Sequence, residues 1–186
     1  MPLTVKICGI QDPGMADWSF SQGADFVGLV LAPSRRQLTL EQAKAIVTKV
    51  PGRYVAVVWS PGPTEFEEIL SDLGVAAIQH HGRPQFDWIE KTRASNRIAI
   101  ATELDPMADI VLLDGREPGS GQTRIWERPP WHRPLWLAGG LTPQNVGALV
   151  HDLHPEGVDV SSGVERDGMK NRELISQFVR EAKQWP

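Results

Sequence analysis

The stretch Pro134–Glu165, PLWLAGGLTPQNVGALVHDLHPEGVDVSSGVE, restricts the fold more than any other part of the chain. Two short apolar runs, Leu135–Leu137 and Gly157–Val160, each end in small residues, Ala138-Gly139-Gly140 and Ser161-Ser162-Gly163. Between them Thr142-Pro143 reads as a cap with proline at the first helical position, and Gln144–Leu153 has helical spacing. The order is strand, glycine turn, helix, strand, glycine turn. Glycine and serine let a phosphate approach backbone N–H groups, and a following helix N-terminus adds a favourable field. Two such turns on adjacent parallel strands would form a phosphate clamp from Gly139, Gly140, Ser161, Ser162 and Gly163. In (β/α)8 barrels that clamp follows strands 7 and 8.

Six earlier strands can be placed at Thr4–Cys8, Asp25–Leu31, Tyr54–Trp59, Ala76–His80, Arg97–Ala101 and Asp109–Leu113. Helical stretches run from Asp12-Pro13 to Ser21, from Thr39 to Lys49, over Thr64–Leu73 with a capping box in Thr64 and Glu67, and around Phe86–Thr92. This repeated order predicts a parallel α/β fold, and eight strands favour the closed barrel over an open sheet. The 186 residues allow about 23 per unit, fewer than such barrels ordinarily use. The shortage is local. Thr102–Ala108 is too short for a helix crossing the barrel wall, and Trp126–Arg133, with Pro129 and Pro130, has room for a single turn. The expectation is a compact α/β TIM barrel, one catalytic domain over residues 1–186, with its fifth helix replaced by a loop and its sixth very short.

Composition narrows the partners. A net charge of −4 without a basic stripe argues against nucleic acid. No apolar run approaches the ~18 residues of a membrane span, and the N-terminus lacks a signal-peptide pattern. A single cysteine makes no internal disulfide, which points to a reducing cytoplasm. His151 and His154, three apart on a helix, lack a third ligand and read as solvated residues near its end, so no metal is expected. Monomer and homodimer stay equally open.

Strand alternation puts Lys6 with Cys8, Gln79 with His81, Leu112 with Asp114, and Asp159 with Ser161 on the inward side of their strands. With these placed, the strand ends resemble those of phosphoribosylanthranilate isomerases. The matching pieces are Lys6-Ile7-Cys8-Gly9, Gly23-Ala24-Asp25 with Gly28, Arg36, Gln79-His80-His81-Gly82, Leu112-Leu113-Asp114, and Gly119-Ser120-Gly121 followed by Trp126. They continue through Leu137-Ala138-Gly139-Gly140-Leu141, Gln144-Asn145-Val146 and Val158–Glu165, nearly the whole chain in the family's order. The chain departs from the family at His80, where leucine is usual, at Gln37, where an aromatic residue is usual, in Trp59–Pro63, and in Gln122–Ile125.

The resemblance implies a cofactor-free Amadori rearrangement of a phosphorylated small molecule, N-(5-phosphoribosyl)anthranilate, in tryptophan biosynthesis. It gives Cys8 as the general base, Asp114 as the general acid and Arg36 as the arginine holding the anthranilate carboxylate. From the residues alone, a buried structural thiol is the commoner reading of Cys8 and a surface charge that of Arg36, while Asp114 reads as well as an Asp-Gly turn residue. Lys6 is expected to favour the Cys8 thiolate, and Arg35 to face solvent. Asp159 is read as positioning the sugar hydroxyls or the ring nitrogen, or as a core aspartate satisfying loop amides; His81 lines the ligand pocket or simply packs. Gly119-Ser120-Gly121 reads as a flap over the mouth rather than a dinucleotide fingerprint, lacking the third glycine. Two other functions fit the clamp: an isomerase of a related phosphoribosyl compound, and a phosphate-binding relic without chemistry.

Overall fold

Near-continuous aliphatic runs such as Phe26–Val30, FVGLV, suit parallel strands covered on both faces. The computed structural model describes residues 2–82, 87–102, 104–115 and 128–184. Its eight parallel strands are β1 (Thr4–Cys8), β2 (Phe26–Val30), β3 (Tyr54–Trp59), β4 (Ala77–His81), β5 (Ile98–Ala101), β6 (Ile110–Asp114), β7 (Leu135–Ala138) and β8 (Gly157–Val160). They close in chain order, with β8 pairing back onto β1 through Lys6↔Asp159 and its neighbours. The expected (β/α)8 barrel is present. Around it lie α1 (Pro13–Ser21), α2 (Leu40–Lys49), α3 (Pro63–Asp72), α4 (Trp88–Ala94), α5 (Val146–Leu153) and α6 (Arg172–Lys183). A two-residue pair, β9 (Glu165–Arg166) and β10 (Met169–Lys170), forms a small hairpin after β8.

The described residues between β5 and β6 contain no helix. Ala108 and Ile89 instead pack on the outward Ala99 and Ala101, and these small side chains let a loop close the wall. Residues 128–134 are likewise non-helical; the remainder of the sixth-helix segment, the Gly119–Gly121 flap, Gln122–Ile125 and Trp126 lie outside the described residues. Two helix starts differ from expectation. Pro63 occupies the first turn of α3 and Gly62 its cap, so Thr64 and Glu67 fall inside the helix and make no capping box. Thr142 does not cap α5: Pro143 and Gln144 lie in a turn, and Asn145 precedes the helix, its side chain accepting from Thr142 N and donating to Gly140 O. A reciprocal capping box does occur at Thr39 and Gln42 of α2.

The N-terminal ends of the strands share one device. Asp25, Asp109 and Glu156, each just before an even-numbered strand, accept a hydrogen bond from Val5, Ala99 and Leu135 N respectively, at 2.7–2.9 Å. In each case the acidic residue's own N–H donates to the carbonyl of the same partner. These carboxylates satisfy strand N–H groups beyond the reach of the ladder and bias the register of three strand pairs. Inside the barrel, Phe26, Val55, Ala77, Ile100, Ile110 and Trp136 fill the N-terminal half, with the Phe26 and Trp136 rings 5.6 Å apart. The C-terminal half is polar, and it is there that the candidate residues meet.

Candidate active site

Because alternate residues of a strand face the same way, the last inward position of each strand lies at the C-terminal mouth. A cavity of about 310 Å³ opens there. Cys8 of β1, Gln79 and His81 of β4, Asp114 of β6 and Asp159 of β8 line it, together with Arg36 from the loop after β2. Gly139 and Gly140 after β7, and Ser161, Ser162 and Gly163 after β8, line its adjoining edge. All ten candidate residues are thus brought to one cavity. The two loops nest so closely that a Cβ on Gly163 would lie 1.8 Å from the Leu141 carbonyl oxygen.

Beneath the mouth sits a buried charge network. Lys6 is fully buried and donates to Gln79 Oε1 at 2.7 Å and Asp159 Oδ2 at 2.9 Å. Burial works against its ammonium, but the buried Asp159 carboxylate beside it outweighs that and raises its pKa, so Lys6 stays charged. Asp159 Oδ1 is buried and accepts from no described residue, leaving one acceptor at the cavity wall. The Cys8 thiol moves up: burial dominates, Asp159 adds to it, and Lys6 only partly offsets them. Lys6 therefore favours the thiolate as expected but does not win, because burial of the thiol outweighs it and Asp159 opposes it as well. At neutral pH this balance favours the thiol form of Cys8.

His81 stacks on Trp59 of β3, the rings 6.1 Å apart and 13° from parallel. Burial first, then Lys6, push its imidazole below the usual range, so it is neutral at pH 7. His80 points the other way, into the layer between barrel and helices, against Phe66 and 3.1 Å from Thr92 Oγ1; burial holds its pKa at about 4. That change from the family's leucine is absorbed outside the site. Asp114 sits at the very end of β6, paired in register with Ala138, and its side chain is exposed to the cavity opening.

Arg36 is one-fifth exposed and forks onto Glu165, Nε to Oε1 at 2.6 Å and Nη2 to Oε2 at 2.9 Å. Arg35 does not simply face solvent: it also pairs with Glu165 Oε2. Lys170 donates to Glu165 Oε1 at 2.7 Å and to Ser161 O and Oγ at 2.9 and 3.2 Å. Burial tends to raise the Glu165 pKa, but Arg36 and Lys170 hold its carboxyl down at about 2. Sequence reasoning gave Glu165 and Lys170 no role. The one cue in the sequence was Asp167-Gly168, which suits a tight turn and forms one here with φ of 53° and 78°, but it does not say what Glu165 or Lys170 would meet. Trp59 and Gln79 were likewise unassigned. Among the described residues, no group of three or more His, Cys, Asp or Glu is arranged to hold a metal, and no helix is long and apolar enough to cross a membrane.

Comparison with known proteins fits this geometry. The family described as N-(5'phosphoribosyl)anthranilate (PRA) isomerase matches residues 5–181. An N-(5'-phosphoribosyl)anthranilate isomerase of Streptococcus pneumoniae is 35% identical over 189 residues, covering 96% of this chain and 95% of its own. The crystal structure of mutually generated monomers of the dimeric Thermotoga maritima enzyme aligns with a TM-score of 0.82 and 30% identity, covering 98% of this chain and 99% of that one. A phosphoribosyl anthranilate isomerase in complex with reduced 1-(o-carboxyphenylamino)-1-deoxyribulose 5-phosphate aligns with a TM-score of 0.79, again at 30% identity, over 97% and 98% of the two chains. The chain belongs to the N-(5'-phosphoribosyl)anthranilate isomerase family, enzymes of tryptophan biosynthesis.

Proposed function

We propose that this isomerase converts N-(5-phosphoribosyl)anthranilate to 1-(o-carboxyphenylamino)-1-deoxyribulose 5-phosphate with Cys8 as general base and Asp114 as general acid. The observation that carries the reading is the meeting of that thiol and that carboxyl across one cavity whose edge is the Gly139–Gly140 and Ser161–Gly163 loops. Asp114 protonates the ring oxygen as its bond to C1′ breaks, and the anthranilate nitrogen supplies electrons to form an iminium. Cys8, as thiolate, removes the C2′ proton, giving an enol-amine. Loss of the C2′ hydroxyl proton and protonation of C1′ then give the ketone. C2′ is oxidised, C1′ is reduced, and no external redox partner enters.

The other residues bind. The loops after β7 and β8 offer backbone N–H groups to the phosphate dianion. Arg36 takes the anthranilate carboxylate. Asp159 Oδ1, unsatisfied by any described residue, accepts from a sugar hydroxyl or the anthranilate nitrogen. Trp59 and His81 offer an aromatic wall to the ligand. With purified protein and freshly generated substrate, the anthranilate-type emission is expected to decay in proportion to enzyme, without release of free anthranilate. No loss above the spontaneous rate from folded protein would overturn the assignment.

The base also depends on a residue that does no chemistry. Gly28 of β2 pairs in register with Cys8, and a Cβ there would stand 2.7 Å from Cys8 Sγ and 3.0 Å from Lys6 Cε. Gly28→Ala must therefore displace the thiol, the lysine or both. A misplacement of this size is expected to lower kcat by about ten-fold or more. Steady-state kinetics on a variant with an intact melting transition checks this, and wild-type kcat would show that the thiol tolerates the shift.

A further inference from the structure

We propose that the β9–β10 hairpin is a positioning strut: Glu165 orients Arg36 so that its outer edge reads a ligand carboxylate, and Lys170 ties that arrangement to the phosphate-side loop. The inference rests on the reading of Arg36 given above and adds the residues that make it selective.

The argument begins with donor and acceptor inventories. A carboxylate offers about four lone-pair sites. Those of Glu165 are all taken: Oε1 accepts from Arg36 Nε and Lys170 Nζ, Oε2 from Arg36 Nη2 and Arg35 Nη2. With its side chain 5% exposed, Glu165 has no capacity left to bind a ligand or move a proton. Lys170 is in the same position. Its ammonium has three N–H donors, directed at Glu165 Oε1, Ser161 O and Ser161 Oγ. Ser161 Oγ in turn donates to the Cys8 carbonyl at 3.1 Å. Both residues are saturated, which marks them as fixtures.

What they fix is a direction. A guanidinium has five N–H donors in one plane. Glu165 takes the Nε–Nη2 edge of Arg36 and leaves the Nη1–Nη2 edge, on a side chain that lines the cavity. A planar carboxylate gripping one edge of a planar fork sets the plane of the other. The hairpin makes the grip rigid. Its Asp167-Gly168 turn places Lys170 directly across from Glu165, so the pair is an opposite-charge cross-strand contact. Buried ion pairs add little net stability, because desolvation consumes much of the Coulombic gain. Orientation is the better account of this one. Three cations on one carboxylate also leave an excess of positive charge, suited to a ligand with a carboxylate at one end and a phosphate at the other.

The test uses two non-reacting probes, reduced 1-(o-carboxyphenylamino)-1-deoxyribulose 5-phosphate and its analogue lacking the ring carboxylate. Wild-type protein should prefer the first, and Arg36→Ala should abolish the preference. If Arg36→Ala keeps it, the carboxylate role of Arg36 is wrong and the strut goes with it. Given that loss, Glu165→Gln is expected to cut the preference by roughly ten-fold while binding of the carboxylate-free probe changes by less than about two-fold. A residue that merely stabilised the fold would weaken both probes together. Lys170→Met should weaken inorganic phosphate competition, because Ser161 loses its tie, and should also lower the preference between the two probes, because Glu165 is held less firmly against Arg36. Glu165→Gln with wild-type preference, beside an Arg36→Ala that has lost it, overturns the strut. Should Glu165→Gln not fold, Lys170→Met decides, and unchanged phosphate competition and preference in that variant overturn the proposal equally.

Discussion

Cys8→Ser is expected to lower kcat by about three orders of magnitude, the share a positioned general base supplies, while KM moves only a few-fold. Serine keeps the size and the strand position next to Gly28, so binding survives; its hydroxyl cannot deprotonate C2′ at neutral pH. A substitution that lowers kcat and kcat/KM together has removed an interaction made only in the transition state. The wild-type pH profile carries the same assignment. Burial, with Asp159, holds the free Cys8 thiol above its usual pKa despite Lys6. Since the thiolate is the active form, kcat/KM should climb with pH through the ordinary thiol range near ~8.5 without levelling there. A plateau already reached at neutral pH, or a Cys8→Ser enzyme with near-full kcat, would remove Cys8 from the base position.

Most of the site was legible because it sits at strand ends. Once Thr4–Cys8 or Gly157–Val160 is recognised as a strand, alternation fixes which side chains enter the barrel, and Cys8, His81, Asp114 and Asp159 all follow from that one rule. Helix starts were less legible, for a local reason. Thr64 and Thr142 both have the side chain of a cap, but Pro63 already occupies the first turn of α3, and Asn145 rather than Thr142 precedes α5. The Glu165 grip on Arg36 was out of reach altogether. It spans 129 residues of sequence, and two-residue strands show no alternation to announce the hairpin. The state of Cys8 was out of reach too, because it is a balance. Lys6 was visible two residues away, whereas the depth of burial and the capture of Lys6 by Asp159 appear only when β1 meets β8.

Asp114→Asn should match Cys8→Ser in size, with kcat down by about 10²–10⁴-fold and affinity for the reduced product nearly unchanged. The amide keeps the shape and one acceptor but has no proton acidic enough to give the departing ring oxygen. In the ligand-free protein Asp114 is exposed at the cavity opening. A bound phosphate and anthranilate carboxylate would add negative charge and displace water, both of which favour the protonated carboxyl. Similar losses of kcat do not by themselves separate an acid from a base. Deuterium at C2′ does. In Cys8→Ser the C2′–H cleavage becomes the slow step, so the isotope effect on kcat should grow toward its intrinsic size. In Asp114→Asn the slow step is ring opening, before that bond is touched, and the isotope effect should shrink toward unity. The opposite pattern would exchange the two roles, and a large effect in both variants would place Asp114 in the proton abstraction rather than in the ring opening.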